Sequence, residues 1–256
     1  MLQPVTAVLF ALLLLGGLLQ PASADELCET TSFRNTPYVV CTAPANNTSL
    51  RLFWKASNAA PYRTFAAVAN AAQDKAEKLV FAFNAGMYLD NFTPMGLYIE
   101  NEQTLIPINT RRIDGGGSAV PNFYKAPNGV FYFGPRGAGI ATTEAFLARP
   151  PEASFATQSG PMLVIDGEIH PAFIADSSDR KRRTGVGVCA DGRVRFAISD
   201  SAVNFYDFAH LFKEQLACPN ALFLDGGRGA GIYSTTLGRN DVSWHGGFGP
   251  MVGWVE

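Results

Sequence analysis

The chain has few of the residues from which catalytic metal sites are commonly built. It holds three histidines in 256 residues, His170, His210 and His245, and no H-x-H or H-x-x-x-H spacing. Its four cysteines form no C-x-x-C pair. Zinc sites and redox dithiols use those spacings, so both are disfavoured. His210 lies in a predicted helix and is interpreted as structural, whereas His245, in the loop "SWHGGFGP", is placed to reach a site.

A charge excess of either sign is also missing. The chain carries 20 Lys and Arg against 22 Asp and Glu, for a formal net charge of −2. Such a balance argues against a general nucleic-acid binder and against a polybasic membrane-surface protein. We therefore expect no nucleic-acid partner, and recognition confined to a local site.

Nucleotide-binding and serine-hydrolase motifs are absent as well. The glycine-rich stretch "LDGGRGAG" has neither the P-loop lysine nor the glycine spacing of a dinucleotide fold. Ser159 has Thr157 two places before it, where a nucleophile elbow needs glycine. No solenoid repeat or low-complexity linker divides the chain, which favours one domain over residues 25–256.

The first 24 residues are a long apolar run that closes on Ala22-Ser23-Ala24, the small-residue pattern of a signal-peptidase site. We interpret residues 1–24 as a signal peptide, which predicts a periplasmic or secreted protein with no stable membrane span after cleavage. The run has no Lys or Arg before its apolar core, which leaves an uncleaved anchor as the alternative.

The even number of cysteines supports an oxidising compartment and structural disulfides. Local sequence favours Cys28 with Cys41 and Cys189 with Cys218. Four cysteines allow three pairings, and the sequence alone does not choose among them.

Most of the chain has the pattern of strands and turns, in segments such as "YVVCTA", "LRLFWK", "GLYIEN", "GVFYFG" and "PMLVIDGEIH". The stretch "TGVGVCADGRVRFAISD" predicts a hairpin that turns at Asp191-Gly192. Two stretches instead have apolar residues at helical spacing: Phe65, Val68, Ala69, Ala72, Ala76 and Leu79 in the first, and Phe208, Leu211, Phe212 and Leu216 in the second. The predicted class is α+β: a single domain with a strand-rich, mixed or antiparallel core and at least two amphipathic helices.

Each predicted helix is followed by an apolar strand that ends in a polar residue near glycine. The first strand ends at Asn84, shortly before Gly86, and the second at Asp225, before Gly226 and Gly227. In sheets with helix crossovers, such strand ends face a crevice where ligands bind. We therefore predict that Asn84 and Asp225 share a site. The alternative for either residue is a hydrogen bond to its own turn.

Other polar residues are candidates for binding a substrate. Gln158 and Ser159 precede a strand and suit hydrogen bonds to a sugar or phosphate. Arg183 and Thr184 close the basic run "DRKRRTGVGV", where Arg183 would bind an anion bidentately, although such runs are often solvated loops. Asp200, at the end of "RFAISD", offers a second carboxylate.

Two further sequence features concern charge and metal. Arg228, among the glycines after Asp225, could add a charge-assisted bond to an anion. Oxygen ligands from Asp225, Asn84 and Asp200 would suit Ca²⁺ or Mg²⁺, but no loop has the regular acidic spacing of a calcium site. The sequence requires no cofactor and leaves Ca²⁺ or Mg²⁺ open.

Four segments in this order, "FAFNAGMY", "QSGPMLVIDGEI", "RRTGVGV" and "ALFLDGG", resemble the phosphodiester glycosidase domain family over about residues 50 to 256. The stretch "NFYDFAHLFKEQLACPNALFLDGG" is similar to its periplasmic bacterial branch. The resemblance implies hydrolysis of a sugar-1-phosphodiester at the glycosidic bond, which releases the sugar and leaves a phosphomonoester. The implied partner is a small molecule or glycan that carries the phosphodiester.

The matching motifs imply a site made of Asn84, Gly86, Gln158, Ser159, Arg183, Thr184, Asp225, Gly226 and Gly227. In this hypothesis Asp225 is the base or nucleophile, Arg183 holds the phosphate, and Asn84, Gln158 and Ser159 orient the substrate. Family members commonly place a serine shortly after the paired glycines, where this chain has Arg228-Gly229-Ala230. The alternative function is a secreted, non-catalytic module that binds anionic, phosphorylated glycans.

Overall fold

The computed structural model describes residues 27–44, 48–113, 115 and 120–256. The predicted signal peptide lies outside these residues. Within them, no helix combines the length and the apolar character that crossing a membrane requires.

Short strands dominate the described chain. In order they are β1 (Cys28–Phe33), β2 (Thr36–Ala43), β3 (Leu50–Phe53), β4 (Leu79–Asn84), β5 (Tyr98–Glu100), β6 (Gln103–Ile106), β7 (Gly129–Gly134), β8 (Gly137–Thr142), β9 (Phe155–Ser159), β10 (Met162–Ile165), β11 (Glu168–Ile169), β12 (Arg183–Val188), β13 (Val194–Ser199), β14 (Asn220–Gly226), β15 (Ile232–Ser234), β16 (Arg239–Asn240) and β17 (Met251–Val255). The helices are α1 (Phe65–Gln73), α2 (Thr143–Ala148) and α3 (Phe205–His210), with a π-helical turn at Leu211–Gln215 and 3₁₀ turns at Asn122–Tyr124 and Gly227–Gly229.

The strands form three sheets. One has seven strands in the order β1-β2-β13-β12-β14-β10-β11, and two have five, in the orders β16-β15-β4-β17-β3 and β6-β5-β9-β7-β8. Each of these strand pairs is antiparallel. The predicted α+β single domain is confirmed, with the antiparallel arrangement.

The three sheets pack on one aromatic core. Phe196 on β13 lies 5.5 Å from Phe83 on β4 and 5.8 Å from Phe131 on β7, measured between ring centroids. Side chains alternate along a strand, so β14 serves two cores. Its Leu222 and Leu224 face the core between the sheets, while Ala221 and Phe223 face the core under α3.

Helix α1 forms where the first helical pattern predicts it, but it is shorter. The Thr64 hydroxyl caps its first turn by accepting the Ala67 N–H at 3.1 Å, and its apolar face packs on the β4 sheet. Ala76 has φ of +58°, which no α-helix accommodates, and Leu79 already belongs to β4. The predicted extension to Ala76 and Leu79 was therefore wrong, because those residues form the turn and the start of the next strand.

The second helical pattern is confirmed as α3 followed by the π-helical turn. Asn204 caps α3 by accepting the Asp207 N–H at 2.7 Å. The His210 ring, at the end of α3, lies 2.6 Å from the Glu214 carboxylate, which is consistent with its structural interpretation. The predicted hairpin turn also forms between β12 and β13, where Gly192 has φ of +77°.

The favoured disulfide pairing is confirmed, Cys28 with Cys41 and Cys189 with Cys218. The first bond joins residues directly opposite each other on β1 and β2. The second joins the residue after β12 to the residue two places before β14. Both bonds therefore staple neighbouring strands of the seven-stranded sheet.

Candidate functional site

Asp225 lies where β14 is bulged near its end. Thr184 on β12 pairs with Asp225, but the next residue, Gly185, pairs with Phe223, so β14 carries one extra residue at this point. A bulge breaks the regular alternation of side chains and re-aims one of them. Here the re-aimed side chain is a carboxylate at the edge of the core.

The surroundings of Asp225 favour its protonated form. Its Oδ1 accepts the Gly226 N–H at 2.7 Å, and no ion pair to Asp225 occurs among the described residues. Asp225 as a whole residue is half-buried. Burial by protein raises its pKa to about 6, against a small opposing effect of the Gly226 hydrogen bond. Asp225 thus changes charge close to neutral pH, as general bases and acids commonly do.

Tyr88 stands beside this carboxyl. Burial, and then the negative charge of Asp225, raise the pKa of Tyr88 to about 12. Its hydroxyl donates to the Gly247 carbonyl at 2.9 Å. Tyr88 is therefore a neutral group that lies within the electrostatic reach of Asp225 and is hydrogen-bonded to the loop before β17.

Glycines leave the space that the Asp225 carboxyl and the neighbouring backbone occupy. A Cβ at Gly229 would collide with the Asp225 carboxylate, and one at Gly86 would collide with the Gln158 carbonyl. Among the glycines after Asp225, Gly227 has a left-handed φ of +60°. The Gly226 and Gly227 N–H groups are bonded to Asp225 and to the Arg182 carbonyl. The two N–H groups therefore hold the turn and are not free for an anion.

Asn84 and Asp225, predicted to share a site, are joined through Thr184. Asn84 Nδ2 donates to Thr184 Oγ1 at 2.8 Å, and that hydroxyl donates to the Asp225 carbonyl at 3.0 Å. Asn84 Oδ1 accepts the Gly231 N–H at 3.0 Å. The reason given for their proximity does not hold, because β4 and β14 belong to different sheets and meet across the core.

Gln158 is buried with its amide turned entirely to protein. Its Oε1 accepts the N–H groups of Leu97 and Asn109, and its Nε2 donates to the Asn109 carbonyl and to Thr143 Oγ1, all within 3.0 Å. The four bonds use the full capacity of the amide. Ser159 is similarly buried and donates to the Leu224 carbonyl at 2.8 Å. Both residues support the framework next to Asp225.

Arg183 starts β12, and its side chain lies away from that of Asp225. Its neighbour Thr184 points toward Asn84 and the β4 sheet, and alternation turns Arg183 to the opposite face. There Nε donates to the Val203 carbonyl and Nη2 to the Asp179 carbonyl, both at 2.9 Å. The guanidinium lies 3.6 Å from the Phe205 ring centroid. The described contacts do not bring Arg183 to the Asp225 carboxyl.

The remaining predicted residues lie at the surface. Asp200 pairs with Arg239 at 3.0 Å. Arg228 is exposed, and its carbonyl accepts the Trp244 N–H at 3.3 Å, which ties the loop containing exposed His245 to the turn after Asp225. Trp244 itself is 78% exposed. Arg228, Trp244 and His245 therefore lie on one rim.

Two of the three oxygen donors considered for Ca²⁺ or Mg²⁺ already have partners within the protein. Asp200 is paired with Arg239, and Asn84 Oδ1 accepts the Gly231 N–H. In the described ranges, no group of three or more Asp, Glu, His or Cys side chains converges.

Two residues of the site carried signals that sequence reasoning missed. Tyr88 follows Gly86 by two places in "NAGMYLD", and Trp244 precedes His245 in "SWHGG". An aromatic residue next to a glycine turn is a candidate for lining a site when a polar strand end has already been predicted to lie in the same site. Asp179, four residues before Arg183, was a third signal, as the partner that the buried arginine needs.

The chain is similar to known proteins in sequence and in fold. The model of the phosphodiester glycosidase family matches residues 77–248. An uncharacterized protein, YigE of Escherichia coli K12, is 35% identical over 177 residues, which make up 69% of this chain and 66% of that protein, just under two thirds.

Solved structures share the fold at low sequence identity. The zebrafish N-acetylglucosamine-1-phosphodiester α-N-acetylglucosaminidase catalytic domain, auto-inhibited by its pro-peptide, has a TM-score of 0.60 at 15% identity over 89% of this chain and 81% of that chain. A putative exported protein from Burkholderia pseudomallei has a TM-score of 0.56 at 11% identity over 86% and 74% of the two chains. Both likenesses concern the fold alone.

Proposed function

The chain belongs to the phosphodiester glycosidase family, and we propose that it hydrolyses a sugar-1-phosphodiester at the glycosidic bond. Water adds to the anomeric carbon, the bond from that carbon to the phosphate oxygen breaks, and the products are a free sugar and a phosphomonoester. The fold shared with the zebrafish α-N-acetylglucosaminidase is consistent with this reaction class.

One observation carries the proposal: a carboxyl without a cationic partner in the described structure, held at a bulged strand end, with a pKa raised to about 6. An ion-paired carboxylate would be a weak base, whereas Asp225 is basic enough to accept a proton near neutral pH. Maintaining an unpaired carboxylate in this partly buried place is costly, which is typical of a functional group.

The charges that develop during the reaction suit this carboxylate. Positive charge builds at the anomeric carbon and negative charge on the departing phosphate, which leaves readily and needs little protonation. The Asp225 carboxylate stabilises the first charge and serves either as nucleophile or as base toward the attacking water. Tyr88, neutral at this pH, and the Gly229 gap shape the space beside it.

The phosphate is placed at the rim. Arg183 was the first candidate to hold it, but its guanidinium is bonded to Val203 and Asp179 on the other face of the sheet. Arg228 is an exposed cation on the turn that follows Asp225, three residues along the chain. We assign phosphate binding to Arg228, and sugar stacking to the exposed Trp244 beside it.

The disulfides support a location in the periplasm or outside the cell, because such bonds persist in oxidising compartments. A likeness in fold to a putative exported protein agrees with that location. The substrate is then a glycosyl phosphodiester that reaches the protein outside the cytoplasm.

The test is release of free sugar from a panel of glycosyl-1-phosphodiesters, including a nucleotide sugar, with and without chelator. Wild type is compared with Asp225→Asn and with a matched control, Asp166→Asn, which makes the same change in an exposed turn. Turnover in wild type and control but not in Asp225→Asn supports the proposal.

Binding without turnover would instead support the second function, a module that binds phosphorylated glycans. Asp225 would then be a ligand contact, and Asp225→Asn would alter affinity only. The departure at Arg228-Gly229-Ala230 from the family's usual serine is the observation that favours testing this case. Equal turnover in Asp225→Asn and wild type would contradict the catalytic role of Asp225.

A further inference from the structure

A cavity of about 610 Å³ lies on the other face of the Arg183 strand. Its described lining includes Tyr124, Lys125, His170, Phe173, Asp179 and Phe205. Cavities of this size, mostly apolar with a few polar groups, are typical of small-molecule sites. No residue of this lining belongs to the Asp225 site.

One wall of the cavity is a column of stacked planar groups. The His170 ring lies 4.7 Å from Phe173, and Phe173 lies 5.0 Å from Phe205, each pair nearly parallel. The Arg183 guanidinium continues the column at 3.6 Å from Phe205. His170 is fixed in orientation, since its Nδ1 accepts the Ala172 N–H and its Nε2 contacts the Ala126 carbonyl at 3.1 Å. Such a rigid aromatic wall suits a ring-bearing ligand.

The positive charge around the cavity exceeds the negative charge. Lys125, Lys181 and Arg183 surround a single carboxylate, Asp179, which lies 3.1 Å from Lys181 and 3.4 Å from Arg183. Among the described residues, these three cations against one anion leave an excess of two positive charges. The nearby Arg112 and Arg180 do not add to it, because they pair with Glu144 and Asp207.

Two of these cations lack full compensation. Arg183 is fully buried, yet its Nη1 has no hydrogen-bond partner among the described residues. Lys125 donates to Asn122 Oδ1 at 2.8 Å and lies 5.5 Å from the Phe205 ring centroid. Burial lowers the pKa of Lys125, and the charges of Arg183 and Lys181 lower it further against the opposing effect of Asp179. An anion in the cavity would compensate the Lys125 ammonium directly and would lie in the field of the buried Arg183 guanidinium.

We propose that this cavity is a binding site for a small, ring-bearing phosphomonoester. The ring packs along the side of the column formed by His170, Phe173 and Phe205, and the dianionic phosphate contacts Lys125 in the field of Arg183. A dianion matches the excess of two positive charges. The site is separate from Asp225, because Arg183 and Thr184 turn to opposite faces of the same sheet.

The test is calorimetric titration of the full chain with phenyl phosphate at neutral pH. Inorganic phosphate, which lacks the ring, and benzyl alcohol, which lacks the charge, are the comparison ligands. We expect phenyl phosphate to bind at least tenfold more tightly than either. Lys125→Gln should weaken that binding at least tenfold, and Lys125→Met more, whereas Asp225→Asn and the exposed control Lys75→Gln should leave it unchanged.

Thermal unfolding midpoints measured without ligand identify any variant that fails to fold. If one of the two Lys125 variants does not fold, the other still tests the proposal. Absence of phenyl phosphate binding to wild type would overturn the proposal. So would binding that Asp225→Asn abolishes while both Lys125 variants retain it, because that result places the ligand at the other site. Sugar release is measured separately, so failure of the proposed activity is distinguishable from failure of this site.

Discussion

The two faces of one strand pair, β12 with β14, hold opposite charges that do not meet. On the face toward the β4 sheet, Asp225 is a carboxyl without a cationic partner in the described structure. On the face toward α3, Arg183 is a buried guanidinium with a donor left over. Alternation along a strand keeps the two groups apart although Arg183 pairs with Gly226, next to Asp225. One face thus keeps an unpaired carboxyl, and the other keeps a guanidinium that pairs with Asp179 but has one donor unbonded.

The largest expected effect separates the two faces by activity. Asp225→Asn should lower kcat/KM for a glycosyl phosphodiester about a thousandfold, because it removes the group that accepts the proton or attacks the sugar. Its free energy of unfolding at pH 7 should stay the same or rise, since a costly buried charge is lost. Steady-state kinetics and urea unfolding on the same preparation check both outcomes; a variant that loses activity by unfolding would contradict the comparison.

Arg183 should show the reverse. Arg183→Ala removes a fully buried side chain that bonds Val203 and Asp179 and stacks on Phe205, so it should cost about 3–5 kcal/mol of unfolding free energy. Arg228→Ala, at an exposed position, should change that energy by less than about 0.5 kcal/mol. Urea unfolding measures both. Equal stability of Arg183→Ala and wild type would remove the structural role given to Arg183.

Activity and stability should change in opposite directions as the pH rises through the pKa of Asp225. Its pKa rises from about 4 in the unfolded chain to about 6 in the folded protein, so its favourable contribution is complete below pH 4 and is lost as pH rises through 6. Wild type should lose about 2 kcal/mol relative to Asp225→Asn over that interval. Activity should rise over the same interval as the carboxylate forms. Parallel pH profiles of the two proteins would contradict the raised pKa.

Arg228→Ala should raise KM about tenfold with little change in kcat, because a charge-assisted bond to phosphate is lost in substrate and transition state alike. Arg183→Lys, which keeps a positive charge on the other face, should leave KM unchanged. The kinetic constants of the two variants decide between the faces. If KM rises in folded Arg183→Lys and not in Arg228→Ala, then Arg183 and not Arg228 binds the phosphate.

The smallest effect concerns the aromatic rim. Trp244→Ala should raise KM about fivefold, equivalent to about 1 kcal/mol of stacking on the sugar, and leave stability unchanged. Ile174→Ala is the matched control, since Ile174 is 71% exposed on the rim of the other cavity. Kinetics with a fixed substrate compare the two. An equal KM for Trp244→Ala and wild type would exclude stacking at that residue.

Local patterns in the sequence were enough to predict much of the fold. Runs of β-branched and aromatic residues marked the strands, and short separations in sequence favoured the correct disulfides. The prediction for the helix at Phe65–Gln73 ran too far along the chain, because Ala76 and Leu79 continue its apolar spacing by coincidence. Periodicity does not reveal a left-handed residue such as Ala76, whose conformation depends on the turn into β4.

The site was harder to predict because orientation depends on pairing. The sequence placed Asn84, Thr184 and Asp225 near one another, and the structure joins them by hydrogen bonds. It could not tell that Arg183 turns away, since that depends on which face of β12 lies against α3. Nor could it tell that the amide of Gln158 is fully bonded within the protein, because its partners Leu97 and Asn109 are distant in sequence.

Both disulfides lie toward the end of the seven-stranded sheet away from Asp225: Cys41 pairs in register with Phe196 rather than with Ser199, and Cys189 and Cys218 flank the far ends of β12 and β14. The disulfide bonds thus affect how long the protein stays folded, and they do not set the geometry of the Asp225 site. Reductant should shorten the working life of the protein in the test tube while leaving the specific activity of each surviving molecule unchanged. For the same reason, the protein should be attached to a solid support through the disulfide-linked end of the sheet, which lies away from Asp225.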